Sequence, residues 1–296
     1  GEVRAIAVKL AALRQQRGLR EKLRATNAEL FDFMTKRVQV GEASLVETTQ
    51  VQLEGSQINA SLLVLESERV ALLGELRSSL GLPGAEVEIT GDLPSPSLDF
   101  AGSAGERADL EAARHTANAA RESAALARAG KWTDFEFGLT AEHSRTEDAP
   151  EGYSRDTMLG FRFRLPLPLW NANEGPIRES RAAAARAEEE AHALSLQIQA
   201  ESRGTRDEMQ ALAKIVTVLN DQLIPQAQQI EEQLRTSYST GQVPLPEVVR
   251  ARSRRFDLEV QRLEMLRNYH LARTRHLTAT GAILRDDRVK TKRSFK

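Results

Sequence analysis

A chain of 296 residues with 28% charged side chains and a net charge of −1 lacks the basic excess expected of a nucleic-acid binder. It has no cysteine, which suits an oxidising compartment without requiring one. No apolar run approaches the roughly 20 residues of a membrane helix, and the chain opens inside what reads as a helix, so Gly1 is not expected to be a natural start.

Residues 1–40 read as a helix with Leu10, Leu13, Leu23, Leu30, Met34 and Val38 at its apolar positions. Gly18 inside it costs up to about 1 kcal/mol of helix propensity. Gly41 to Ser44 form a tight reversal, in which Gly41 ends one helix and Ser44 caps the next. The return helix, 45–80, carries Leu53, Leu62, Leu65, Leu72, Leu76 and Leu80 and stops at Gly81. Residues 81–105, rich in Gly, Pro and Ser, read as a linker, with a short strand expected at Val87–Thr90. A helix over 106–130 is rich in alanine, which permits close helix–helix approach, and Gly130 ends it.

Two runs of strict alternation follow. Phe135, Phe137, Leu139 and Ala141 alternate with Glu136, Gly138, Thr140 and Glu142; Leu159, Phe161, Phe163 and Leu165 alternate with Gly160, Arg162 and Arg164. A period of two gives each strand one apolar and one polar face. The polar segment between them, His143 to Asp156, reads as a loop containing Pro150, Gly152 and Tyr153. Trp132 and Trp170 flank the hairpin at the opposite end. Apolar-out, polar-in strands with aromatic rims are the pattern of a transmembrane β-barrel. The rest of the chain reads as charged helix, so no partner sheet is available to cover the phenylalanines. One hairpin leaves its edges unpaired in lipid, so it must close into a barrel with other strands. The hairpin thus occupies 131–170.

Two prolines, Pro166 and Pro168, stop the ladder, and Gly175-Pro176 open a helix expected to run to about 240, roughly 100 Å at 1.5 Å per residue. Thr205, Met209, Leu212, Val216, Leu219 and Leu223 form a heptad seam. Pro225 interrupts the helix and should bend it. A last helix, 246–280, places Phe256, Val260, Leu263 and Leu277 on one side, and a basic tail, 282–296, is expected to be disordered.

The chain repeats itself at an offset of 200: Gly41 matches Gly241, Leu45 matches Leu245, Glu47 matches Glu247 and Gly81 matches Gly281. The second copy reads as a helix (106–130), a β-hairpin (131–170) and a long helical hairpin (171–281), whereas residues 1–80 hold only the helical hairpin of the first. By this register a helix, two strands and half a helix are expected before Gly1, together with any lipid-modified cysteine, so the chain reads as a fragment.

A helical hairpin with a glycine turn, built twice and joined to two-stranded hairpins, resembles the TolC family of outer-membrane efflux channels. The resemblance is carried by Pro166-Leu-Pro-Leu-Trp-Asn-Ala-Asn-Glu-Gly175, Tyr238-Ser-Thr-Gly241 and Arg107-Ala-Asp-Leu110, and the first of these looks most like the heavy-metal (CzcC-like) branch. It implies a mainly α fold of long antiparallel coiled-coil helices, an α-barrel tunnel, plus a hairpin contributing to a trimeric transmembrane β-barrel. It implies a homotrimer in the outer membrane of a Gram-negative bacterium, with a periplasmic helical domain. Its partners would be outer-membrane lipid, a periplasmic adaptor (membrane fusion) protein and an inner-membrane pump of the RND type. The implied docking tip is Gly41, Ser44, Leu45, Gly241, Pro244 and Leu245, and the implied entrance gate is Glu47, Tyr238 and Glu247. Arg250 stands where some members carry a further acid. In the barrel, Phe135, Phe137, Leu139, Leu159, Phe161, Phe163 and Leu165 would face lipid. Trp132, Tyr153 and Trp170 would mark its interfaces, and Glu136, Glu142, Arg162 and Arg164 its lumen.

No catalytic set or cofactor motif is visible, and none of the five histidines (115, 143, 192, 270, 276) pairs at the three- or four-residue spacing that a helix-borne metal site uses. Glu188 to Glu190 read as a solvated face. The expected function is a passive exit duct of a tripartite efflux or secretion system, carrying small molecules or metal ions. The rival is a soluble periplasmic coiled-coil adaptor or scaffold without a pore. The surroundings of Phe135, Phe137, Phe161 and Phe163 discriminate between them.

Overall fold

The computed structural model describes residues 1–41, 44–84, 86–97, 107–130, 136–148, 150, 152–165 and 173–282. In chain order its elements are α1 (Glu2–Gln39), α2 (Leu45–Leu80), α3 (Ala108–Ala129), β1 (Glu136–Asp148), β2 (Gly152–Arg164), α4 (Glu174–Val218), one π turn (Leu219–Leu223), α5 (Ile224–Ser239) and α6 (Leu245–Ala279). They group into two compact units, Gly1–Glu106 with Ile198–Lys296, and Arg107–Gln197. The basic tail lies outside the described residues.

In the first unit α1 and α2 form an antiparallel hairpin. The seam of α2 is a strict heptad: Val51, Ile58 and Leu72 are buried and Leu65 packs beside them, with Leu62 and buried Leu76 on the adjoining row. Leu53 and Leu80 fall off that seam and are exposed, contrary to expectation, because neither lies on the heptad rows. Ile6, Leu10 and Leu13 of α1 meet Leu72 and Leu76, and Leu23 meets Ile58 and Phe256 of α6. Ser44 starts α2 with a capping box: its Oγ accepts from the Val46 N–H at 3.2 Å, and the Glu47 carboxylate reaches back to the Ser44 N–H at 3.4 Å.

The 200-residue register reappears in the backbone. Gly41 and Gly241 have φ of 77° and 76°, and Gly81 and Gly281 both have 68°. At Gly241 the N–H donates to the Tyr238 carbonyl and the Gln242 N–H to that of Ser237, a Schellman closure that needs left-handed backbone. Gly241→Ala should therefore destabilise this end of α5 by about 1 kcal/mol, although a Cβ there meets nothing within 4 Å. The lowered melting temperature of the variant checks it.

The α4 seam follows the expected Met209, Val216 and Leu219, then shifts. Leu223 is 38% exposed and Ile224 is buried in its place, because the π turn adds one residue just before Pro225. A proline at 225 cannot donate to the fourth preceding carbonyl, and the wider turn accommodates that loss. α6 is the most enclosed helix. Phe256, Leu258, Leu263, Leu266, Tyr269 and Ala272 are all buried on it, while Val260 and Leu277 are half-buried.

The expected strand at Val87–Thr90 does not form. No second strand lies alongside it among the described residues, and the Ile89 carbonyl accepts from Arg14 instead. The segment is pinned by side chains: Val87 and Ile89 pack on the Leu10–Leu76 cluster, and the Tyr269 hydroxyl donates to the Ser97 carbonyl at 2.6 Å. His270 Nε2 lies 2.8 Å from the Pro94 carbonyl oxygen.

His276, also on α6, is 8% exposed and lies 3.1 Å from the Thr205 hydroxyl through Nδ1. Burial pulls its pKa below the usual histidine value; a backbone hydrogen bond at Ser202 opposes the shift, and the charge of Arg206 adds to it. Below about pH 6.5 the unfolded chain binds a proton that the folded chain refuses. Stability should therefore fall as the pH drops from that value, levelling off once the folded-state pKa is passed. His276→Gln should shrink the difference in melting temperature between pH 7.5 and pH 5; an unchanged difference would exclude His276 as its source.

In the second unit α3 runs beside the first turns of α4. Leu110, Ala117 and Ala124 are its buried stripe at seven-residue spacing. Arg121 pairs with Glu188, and Asn173 Nδ2 donates to the Ala127 carbonyl at 3.0 Å. One acid of the Glu188–Glu190 run is thus tied to α3.

Candidate functional sites: the hairpin and the helix turns

β1 and β2 form an antiparallel two-stranded sheet paired one to one from Glu136↔Arg164 to Asp148↔Gly152. His143 to Asp156, expected as a loop, is therefore mostly strand. Its polar residues pair with one another across the ladder: His143 Nδ1 lies 3.0 Å from the Thr157 hydroxyl, and the Arg145 guanidinium sits 4.2 Å above the Tyr153 ring. Polarity resembled a loop because both faces of this outer half are hydrophilic. Tyr153 accordingly belongs to β2, at the end remote from Phe137 and Phe163.

The register places Phe137, Leu139 and Ala141 opposite Phe163, Phe161 and Leu159 on one face. These side chains are bare: Phe137 is 69%, Phe161 79% and Phe163 66% exposed, and no described element covers them. Leu165 is partly exposed beyond the ladder. Phe135, Trp132 and Trp170 lie outside the described residues, as does the Pro166–Ala172 stretch. The other face carries Glu136, Glu142, Arg162 and Arg164, and Arg164 Nη1 pairs with Glu136 Oε2 at 3.0 Å. The pair sits directly cross-strand, where opposite charges attract.

The turns at Gly41 and Gly241 belong to the first unit and lie near each other. Tyr238 joins them: its hydroxyl is 3.5 Å from Met34 Sδ and accepts from Arg37 Nη1 at 3.4 Å. Beneath it Met34, Val51 and Leu245 form a buried cluster. The matched leucines of the repeat therefore part company. Leu45 is 71% exposed, whereas Leu245 is 2% exposed because α6 begins against α1 and α2. Leu245 holds the turn from inside and presents no surface. Gly41, Ser44, Gly241 and Pro244 are exposed. The expected gate acids both have local partners: Glu47 the Ser44 N–H, and Glu247 the Arg250 guanidinium. Sequence reading missed these contacts; Glu47 three residues after Ser44 is the signal that would have found the first.

A buried ion pair was also not legible. Arg252 Nη2 meets Glu54 Oε2 at 3.3 Å, and the Ser253 hydroxyl donates to Glu54 Oε1 at 3.3 Å. It ties α6 to α2 between residues 198 positions apart. No helix among the described residues is long and apolar enough to cross a membrane.

The family described as "Outer membrane efflux protein" matches residues 102–282. No curated protein matches the chain significantly. Among solved structures, the fold is similar to the outer membrane protein VceC of Vibrio cholerae, at 18% identity and a TM-score of 0.71, over 94% of this chain and 68% of that one. It is similar to a membrane protein from Pseudomonas aeruginosa, at 15% and 0.72, over 94% and 67%. It is likewise similar to the open-state MtrE outer membrane channel of Neisseria gonorrhoeae, at 14% and 0.61, over 94% and 66%. The chain spans about two thirds of each of these structures.

Proposed function

The chain belongs to the TolC-like outer membrane efflux protein family, whose members are channels and not enzymes, and we propose that it serves as a passive exit duct of a tripartite efflux or secretion system. One observation carries this reading: Phe137, Leu139, Leu159, Phe161 and Phe163 form a continuous apolar face that no described element covers. Left in water, such a face is a liability; against hydrocarbon each side chain is favourable. It also counts against the scaffold reading, which needs those rings inside a soluble core.

In this proposal the hairpin joins strands of a trimeric barrel in the outer membrane, with Glu136, Glu142, Arg162 and Arg164 towards the lumen. The helices form a periplasmic tunnel. Val46, Leu53, Leu63 and Val70 are exposed on α2, which suits packing against a second copy of the chain. The turns, through Gly41, Ser44, Leu45, Gly241 and Pro244, meet a periplasmic adaptor linked to an inner-membrane pump of the RND type. Tyr238, Glu47 and Glu247 line the entrance. Small molecules or metal ions are the cargo, and the pump supplies the energy. The segmentation at 1–80, 81–105, 106–130, 131–170, 171–281 and 282–296 follows these roles.

Reconstitution into a planar bilayer tests the reading. The complete protein should assemble as a trimer and conduct ions, and its deletion strain should lose tolerance to a drug or a metal. A water-soluble monomer without conductance would establish the scaffold instead.

A further inference from the structure

The apolar face of the hairpin does not end in water-neutral residues. Beyond the Ala141–Leu159 row the same face continues through His143–Thr157, then Arg145–Arg155, then Glu147–Tyr153. Two arginines directly opposite each other repel, and that pairing is unfavourable in a sheet unless an anion lies between them. Among the described residues neither arginine has a carboxylate partner; Arg145 rests only on the Tyr153 ring. The row below is self-contained, since His143 and Thr157 hydrogen-bond each other.

Depth decides what can reach this pair. Six residues separate Leu139, the middle of the apolar rows, from Arg145, which is about 20 Å along a strand. At a strand tilt of about 35–45°, that is a rise of roughly 14–17 Å. The hydrocarbon half-thickness is about 15 Å. The guanidinium pair therefore emerges at head-group level, at the hairpin end remote from where α3 ends and α4 begins, and hence in the leaflet facing away from those helix ends. Arginine forks match phosphate oxygens, and the apolar rows that start beyond the His143–Thr157 row would seat the acyl chains of the same molecule.

We propose that Arg145 and Arg155 bind the phosphate of an anionic lipid in that outer leaflet, with Tyr153 holding Arg145 in place. The proposal rests on the hairpin being in a membrane, so its test reads insertion and phosphate binding separately. The complete channel is reconstituted in phosphatidylcholine nanodiscs containing diphosphoryl lipid A, and lipid retained per trimer is counted by native mass spectrometry. Insertion is read from a fluorophore placed through Phe161→Cys, since this chain has no other cysteine, quenched by mid-chain labelled lipid.

The Arg145→Gln/Arg155→Gln double variant should retain lipid A at least about tenfold more weakly. The Arg145→Lys/Arg155→Lys variant should recover only part of that loss, since lysine keeps the charge without the fork. Dephosphorylated lipid A should not be retained by the parent, and inorganic phosphate should not displace the lipid. Quenching at position 161 should be the same in all three proteins. Equal retention by the Gln variant, equal retention of the dephosphorylated lipid, or displacement by inorganic phosphate would each overturn the lipid site while leaving the duct intact. Absence of quenching in the parent would overturn both.

Discussion

Glu54→Ala should destabilise the helical unit by about 3–5 kcal/mol, among the largest effects of any single truncation away from the hairpin. The Arg252 side chain is 6% exposed and that of Glu54 15%, so removing the carboxylate strands a guanidinium where water cannot replace it. Arg252 Nε has no hydrogen-bond partner among the described residues, and the Glu54 carboxylate also accepts from Ser253, which would lose its acceptor. Truncating one partner of a buried pair costs far more than the pair contributes, because the remaining charge is desolvated without compensation. The double replacement Glu54→Leu/Arg252→Met should recover most of the loss. Unfolding of the parent and the two variants, followed by helical circular dichroism, checks both statements. A Glu54→Ala protein within about 0.5 kcal/mol of its parent, the range typical of surface substitutions, would mean that water reaches the pair.

That pair marks where the sequence stops being informative. Local periodicity showed the elements: the alternation at 137–141 and 159–163, the seam of α4, and the glycines at 41, 81, 241 and 281 each encode their structure within a few residues. Two misreadings came from local signals with a second meaning. A polar run between two apolar strands looks like a loop, yet His143, Arg145, Tyr153 and Thr157 interact across the ladder. A heptad continued up to Pro225 picks Leu223, whereas the π turn moves the buried position to Ile224. Contacts between distant segments left no local trace. Nothing around Tyr269 announces that its hydroxyl holds Ser97, and nothing around Glu54 announces Arg252. The candidate site divides in the same way. The apolar face was readable residue by residue, but the fate of Leu245 depended on where α6 begins among its neighbours.

Phe161→Arg should cost about 2–4 kcal/mol of barrel stability, because position 161 lies on the middle row of the apolar face and would sit near the midplane of the bilayer. At 79% exposed the phenylalanine contributes little to packing within the chain, so truncation alone should be mild in water. The penalty comes from placing a guanidinium in hydrocarbon, too deep for its side chain to reach the head groups readily. Thr140→Arg is the matched control, since Thr140 lies one residue from Leu139 on the opposite face of the sheet, where a lumen would hydrate the charge. Folding into phosphatidylcholine vesicles, read by the heat-modifiable gel mobility of the barrel, should show Phe161→Arg impaired and Thr140→Arg close to the parent. Equal folding of both would mean that the phenylalanine face does not meet lipid. Impairment of Thr140→Arg alone would put the polar face against the bilayer and reverse the assignment of lumen and exterior.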